Sequence, residues 1–246
     1  MKFRTFLAML LACTAIVACP LVHAQSPLVG TTATIGGMSI VMPALPGFDA
    51  PSATPKAMVD GLSNALPATD RLLAIMLQHD FMADASSGQP SARAARRLVV
   101  MTLPQYEQDG MSPALFESTK TSLRTQGEQY RQQLKDIMAD HSDRLSMELR
   151  QRTGDDSASV RNLDLNPLGV YDEQPDSISV SGVQTTGRTS QGRTTSDVQA
   201  MATTAMRVHG KFIMVSVYSH FRSAADVQWV KDVALEWARR MRQANP

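Results

Sequence analysis

The sequence predicts an α+β fold: an antiparallel sheet flanked by helices and preceded by a cleaved signal peptide. Three observations carry that prediction. The second half of the chain alternates with period two, most clearly in "SISVSGV" and "VQAMATTAMRV", and that period marks a strand with one buried face. The run "FIMVSVYSHF" is apolar on both faces, so it reads as an interior strand needing cover on each side. Single apolar stripes at helical spacing supply the covers.

The chain opens "MKFRTFLAMLLACTAIVACPLVHAQS", with Lys2 and Arg4 ahead of apolar Phe6 to Val17 and a Val22-His23-Ala24 cleavage site. This is the pattern of a secretory signal, so the mature protein is expected to be periplasmic or secreted. The apolar run is shorter than the about 20 residues that span a bilayer, and no later segment reaches that length. The expected organisation is a signal peptide over 1–24, a short lead over 25–31 and a single α+β domain over 32–246. Cleavage leaves 246 − 24 = 222 residues, enough for one sizeable core. Cys13 and Cys19 both depart with the signal, leaving no thiol, disulfide or cysteine metal ligand. Ile16-Val17-Ala18-Cys19 also resembles a bacterial lipobox, which would place a lipid anchor on Cys19. Pro20 and the downstream cleavage site favour plain secretion over that alternative.

Loss of Lys2 and Arg4 leaves 24 − 2 = 22 basic residues against 23 acidic ones, a net charge of −1. Nucleic-acid binding needs clustered Lys and Arg, so no nucleic-acid partner is expected. Nor is there a polybasic run for anionic lipid.

Taken in order, "TATIGGMSIVMP" predicts a hairpin turning at Gly36-Gly37. Thr54 and Pro55 read as the N-cap and first position of a short helix with Met58, Leu62 and Leu66 on one stripe, stopped by Pro67. "RLLAIMLQHDF" and "RRLVVMTLP" read as two antiparallel strands joined by the polar loop between them. Ser112-Pro113 opens a long helix running towards Gly154, with Phe116, Leu123, Tyr130 and Ile137 every seventh residue and Leu134, Leu145 and Leu149 extending the stripe. The Asp140–Asp143 stretch leaves open whether 112–153 is one helix or two. "TTGRTSQGRTT" repeats Gly-Arg-Thr between two strands. It reads first as a long flexible hairpin tip, and otherwise as a two-arginine contact for a partner.

His209-Gly210 turns the chain into the apolar strand. Ile213, Val215, Val217 and Phe221 share one face, and Phe212, Met214 and Tyr218 the other. Ser223 and Asp226 then start a helix whose stripe is Val230, Val233, Ala234, Trp237 and Met241. This module, "VHGKFIMVSVYSHFRSAADVQWVKDVALEWARRMRQAN", resembles the C-terminal strand and helix of exported bacterial proteins with a PsbP-like α/β/α sandwich, including the DcrB-like group. Over 32–245 the order of elements is similar to that fold as well. The resemblance implies an antiparallel sheet between helices, in a family of non-enzymatic accessory and partner-binding factors. It implies no shared catalytic residues.

The residues themselves offer little chemistry. His79, His141, His209 and His220 are scattered, without the spacing of a helical zinc site; only His79-Asp80 and His220 with Asp226 form local His–acid neighbourhoods. There is no nucleophile elbow and no phosphate loop. Asp155-Asp156 and Asp172-Glu173 read as ordinary acids in polar loops. The 13 methionines that remain sit singly in apolar runs and read as core filling. The expected function is therefore a non-enzymatic exported envelope protein, without cofactor, metal or catalytic residue, that acts by binding a protein partner. Two alternatives stand beside it: an exported hydrolase assembling Ser219, His220 and Asp226, and a neutralising partner of a secreted toxin.

Overall fold

The computed structural model describes residues 30–67, 69–79, 96–125, 139, 142–147, 149–151 and 154–246. The signal segment, Asp80, His141 and the helix positions Tyr130, Leu134 and Ile137 lie outside the described residues, and with them the choice between one helix and two.

Strands β1 (Thr31–Ile35) and β2 (Met38–Met42) form a two-stranded sheet. Gly36 and Gly37 make the turn with φ of 53° and 77°, angles that glycine adopts without steric cost. At Gly36 a side chain would also collide, since a Cβ there would stand 1.6 Å from the Glu107 carbonyl oxygen. Helix α1 (Lys56–Ala65) follows, with Pro55 as its N-cap. Thr54, expected as the cap, instead donates its hydroxyl to the Ile75 carbonyl 2.9 Å away.

Strands β3 (Arg71–Leu77), β4 (Arg97–Thr102), β5 (Ser159–Gln174), β6 (Ser177–Ser190), β7 (Arg193–Val208) and β8 (Lys211–His220) form one sheet in the order β3-β4-β8-β7-β6-β5. Every neighbouring pair is antiparallel. Helix α2 (Pro113–Thr125) packs on one face through Phe116 and Leu123, which join Val99, Met101, Phe212, Met214 and Tyr218 in one core cluster. Helix α3 (Ala224–Ala244) packs on the opposite face through Val230, Ala234, Trp237 and Met241, against Leu98, Val100, Ile213, Val215 and Val217. The β1–β2 hairpin joins that second cluster through Ile35, Ile40 and Met42. The β8 alternation read from sequence thus holds on both faces, and helices cover each.

Helix α3 begins as its sequence predicts. The Ser223 side chain accepts from the Ala225 N–H, and Asp226 accepts from the Ser223 N–H at 3.0 Å, closing a capping box. At the other end the Asn245 side-chain amide pairs with both backbone groups of Val41, each at 2.9 Å. The side chain thereby substitutes for a strand along the hairpin edge.

Two readings need correction. Strand β7 is buried on both faces from Gln199 to Met206, where a half-buried strand was expected. Its small polar residues conceal this by bonding across strands: Thr203 with Ser216 and Thr204 with Ser179, each at 2.9 Å. Residues 159–174 also form a long strand that the sequence did not announce. Three register shifts along β5 break its alternation, around Leu163, Leu168 and Tyr171.

Trp237 is fully buried at the centre of the α3 layer. Trp237→Ala is expected to lower unfolding stability by about 3–5 kcal/mol, measured by urea denaturation. A loss under about 1 kcal/mol would mean that α3 is not the cover of this face.

Candidate functional site

A run of side-chain polar chemistry lies on the α2 face, at the end where β8 stops. Pairing sets Gln199 of β7 against His220 of β8 and Tyr218 of β8 against Arg97 of β4. Paired residues share a face, so these side chains stand together, with Asp197 two residues back along β7. Arg97, 3% exposed, donates Nη2–H to Gln199 Oε1 at 3.0 Å and lies 4.5 Å over the Tyr218 ring. Gln199 donates Nε2–H to an oxygen of Asp197, and the other Asp197 oxygen meets His220 Nδ1 at 2.6 Å. A buried guanidinium is thus wired through an amide to a half-exposed Asp–His pair.

Such a pair can hold the imidazole in the tautomer that carries its proton on Nδ1 and leaves Nε2 as the base. Ser219 precedes His220 on an extended strand, so its side chain leaves the opposite face; there Arg96 Nε donates to its hydroxyl at 3.4 Å. Asp226 is spent on the α3 cap and lies 3.9 Å from Arg96. Ser219, His220 and Asp226 are therefore not brought together. Strand alternation separates the first two, and His220 takes Asp197 as its acid.

The other histidines are dispersed. His79 Nδ1 lies 2.7 Å from Asp49; its sequence neighbour Asp80 lies outside the described residues. His209 occupies a positive-φ turn position. Among the described residues no group of three or more His, Cys, Asp or Glu could hold a metal, and no helix is long and apolar enough to cross a membrane. Met42, Met76, Met206 and Met241 fill the α3-side cluster, and Met101, Met111, Met201 and Met214 the α2-side cluster.

One acid of each pair is tied into the fold, and Asp172-Glu173 lies in β5, not in a loop. Asp155 accepts from the Ser157 hydroxyl and from the Gln191 N–H, which hold its carboxyl below the usual carboxylate range. Glu173, at the end of β5, is lowered to about 2 chiefly by its bidentate contact with Arg124, with the buried Lys120 adding to it. These carboxylates fasten elements together: Asp155 the β6–β7 turn, Glu173 helix α2.

Beyond the end of β8, strands β5, β6 and β7 run on as a three-stranded ribbon. The predicted flexible tip is in fact paired up to a two-residue turn, Gln191-Gly192, with φ of 50° and 71°. Asp155 accepts from the Gln191 N–H at 2.7 Å and from the Ser190 hydroxyl at 3.2 Å. The register Arg188↔Thr195 and Ser190↔Arg193 puts Arg188 and Arg193 on one face, as diagonal neighbours. No protein-family model matches the chain, and no curated protein does.

Sequence reading missed Asp197, Gln199, Arg97 and Gln184. The signal for the first two was present in Asp197-Val198-Gln199, which alternates and so points two polar groups the same way. Gln184 lies opposite Gln199, is fully buried, and has neither amide atom hydrogen-bonded. A buried amide left in this state is costly. Gln184→Met, close in shape, is expected to raise unfolding stability by about 1–2 kcal/mol, read from the urea midpoint. A decrease would show that the amide has a partner in solution.

Proposed function

We propose that the protein is an exported, non-enzymatic factor of the cell envelope, periplasmic or secreted, that acts by binding a protein partner. The β6–β7 tip is its contact surface. The observation that carries this reading is the Asp155 clamp. A turn bonded through its own backbone N–H presents Arg188 and Arg193 in a fixed geometry, and preordering of this kind lowers the entropic cost of association. The partner face that fits is acidic, because two planar guanidiniums on one side match carboxylates bidentately.

Lys2, Arg4, the apolar run to Val17 and the site at Ala24 support export as a signal-bearing protein, with Cys19 lipidation the less favoured variant. A PsbP-like sandwich is the finer fold reading, supported by the C-terminal strand-and-helix module and by helices on both faces of an antiparallel sheet. The separation of Ser219 from His220 and the commitment of Asp226 to a helix cap support a non-catalytic role. The reading needs no cofactor or metal.

A photo-crosslinking residue placed at Arg188 is expected to capture a specific envelope protein in cells, whereas one at exposed Arg239 on α3 captures none. Arg193→Glu is expected to weaken the adduct at least tenfold, and Asp155→Asn to weaken it less. Equal capture at the two positions, or an adduct indifferent to Arg193→Glu, rejects the tip as the contact.

A further inference from the structure

Helix α1 covers the β3 end of the sheet. It touches β3 through Met58, against Ile75 and Leu77, with Val59, Leu62 and Leu72 partly buried around them. At its C-terminal end, Leu66 joins the α2-side core. Between that end and β3 sits Asp70. Its N–H donates to the Pro67 carbonyl at 2.9 Å, its Oδ1 accepts from the Thr69 hydroxyl at 3.1 Å, and its Oδ2 is buried with no partner. Carried one residue past Arg71↔Thr102, the β3–β4 register sets Asp70 opposite Leu103, which is fully buried in the same cluster as Leu66.

A carboxylate in such surroundings is unstable, and a neutral carboxyl is not. Burial raises the Asp70 carboxyl to about 7, opposed by the Thr69 hydroxyl. Charged groups on the surrounding elements are engaged elsewhere. On α1, Lys56 pairs with Asp60. Arg71 on β3 holds Glu107 and the Thr34 carbonyl. Tyr106 packs against the cluster, and burial raises its hydroxyl further from ionisation.

We propose that Asp70 is the latch of a pH-dependent cover: α1 lies closed on β3 while the carboxyl is neutral and lifts when it ionises, uncovering Leu72, Ile75 and Leu77. The sign follows from linkage. The closed form binds the proton more tightly than the open one, so closure is strongest below the ordinary carboxyl pKa near 4 and weakens as pH rises through 7. Opening of one short helix costs less than global unfolding, so the ionised carboxylate is relieved locally first.

Amide hydrogen exchange on the full chain at pH 6 and pH 8, corrected for intrinsic exchange, tests this. Protection over residues 56–66 is expected to fall about tenfold between the two, following one proton released per opening, while β8 keeps its protection. Asp70→Asn, which mimics the neutral carboxyl, is expected to abolish the fall, and Asp60→Asn to leave it intact. Equal α1 protection at both pH values overturns the latch, as does a parallel loss in β8 or a fall that survives Asp70→Asn. If Asp70→Asn does not fold, the comparison of α1 with β8 in the wild-type chain decides.

Discussion

Strand β8 has no face to offer water. From Lys211 to Ser219 it is buried on both sides, and its alternation of Ile213, Val215 and Val217 against Phe212, Met214 and Tyr218 commits two separate surfaces to a core. Neighbours on either edge cannot supply that cover, because strand pairing satisfies the backbone but not the side chains. A layer has to stand on each face, and α2 and α3 are those layers. Much else follows from this demand. The β5–β8 meander ends by inserting β8 between β7 and β4, which seats the most apolar strand in the interior. Helix α3 follows after three residues, and its capping box aims it straight back across the sheet.

An open sheet also leaves two edges, which are hazards for uncontrolled pairing. Each is closed by a different device. Along β3, the Asp49 N–H donates to the Leu77 carbonyl at 2.7 Å and Thr54 reaches Ile75. Along β5, the Ser146 hydroxyl takes both the N–H and the C=O of Val160, Pro167 removes a donor, and Lys120 reaches the Gln174 carbonyl. The register shifts that hid β5 in the sequence belong to the same protection, since a bulged edge does not template another strand. The contact proposed above is accordingly the ribbon tip and not a sheet edge.

The legible parts of the fold were those where a single period ran without interruption. The Gly36-Gly37 hairpin, both faces of β8 and the α3 stripe could be read from residue types alone. Residues 159–174 could not, because each register shift resets the alternation and Pro167 and Gly169 resemble loop. Thr54 was misread for another reason. A threonine before a proline at a helix start looks like a cap, and only the third dimension shows its hydroxyl donating to β3 with no cap bond made to α1. The polar site was hidden more deeply. Its members come from β4, β6, β7 and β8, and only register brings Arg97 to Gln199 across 102 positions of sequence.

The dispersal of the Ser219, His220 and Asp226 trio makes the general physical point. Ser219, His220 and Asp226 lie within eight residues, and on a helix or a tight loop such proximity would favour convergence. On an extended strand it works the other way. Successive side chains point to opposite faces, so adjacency in sequence separates a nucleophile from its base by the thickness of the sheet. What reaches His220 instead is Asp197, its diagonal neighbour across the β7–β8 ladder. That carboxylate is in turn tied through Gln199 to a guanidinium sealed in the core. A charge as deeply buried as Arg97 is costly, and each hydrogen bond it makes lowers that cost. The Gln199–Asp197–His220 chain carries part of that demand from the core out to the surface, so the Asp–His pair belongs first to the burial of Arg97.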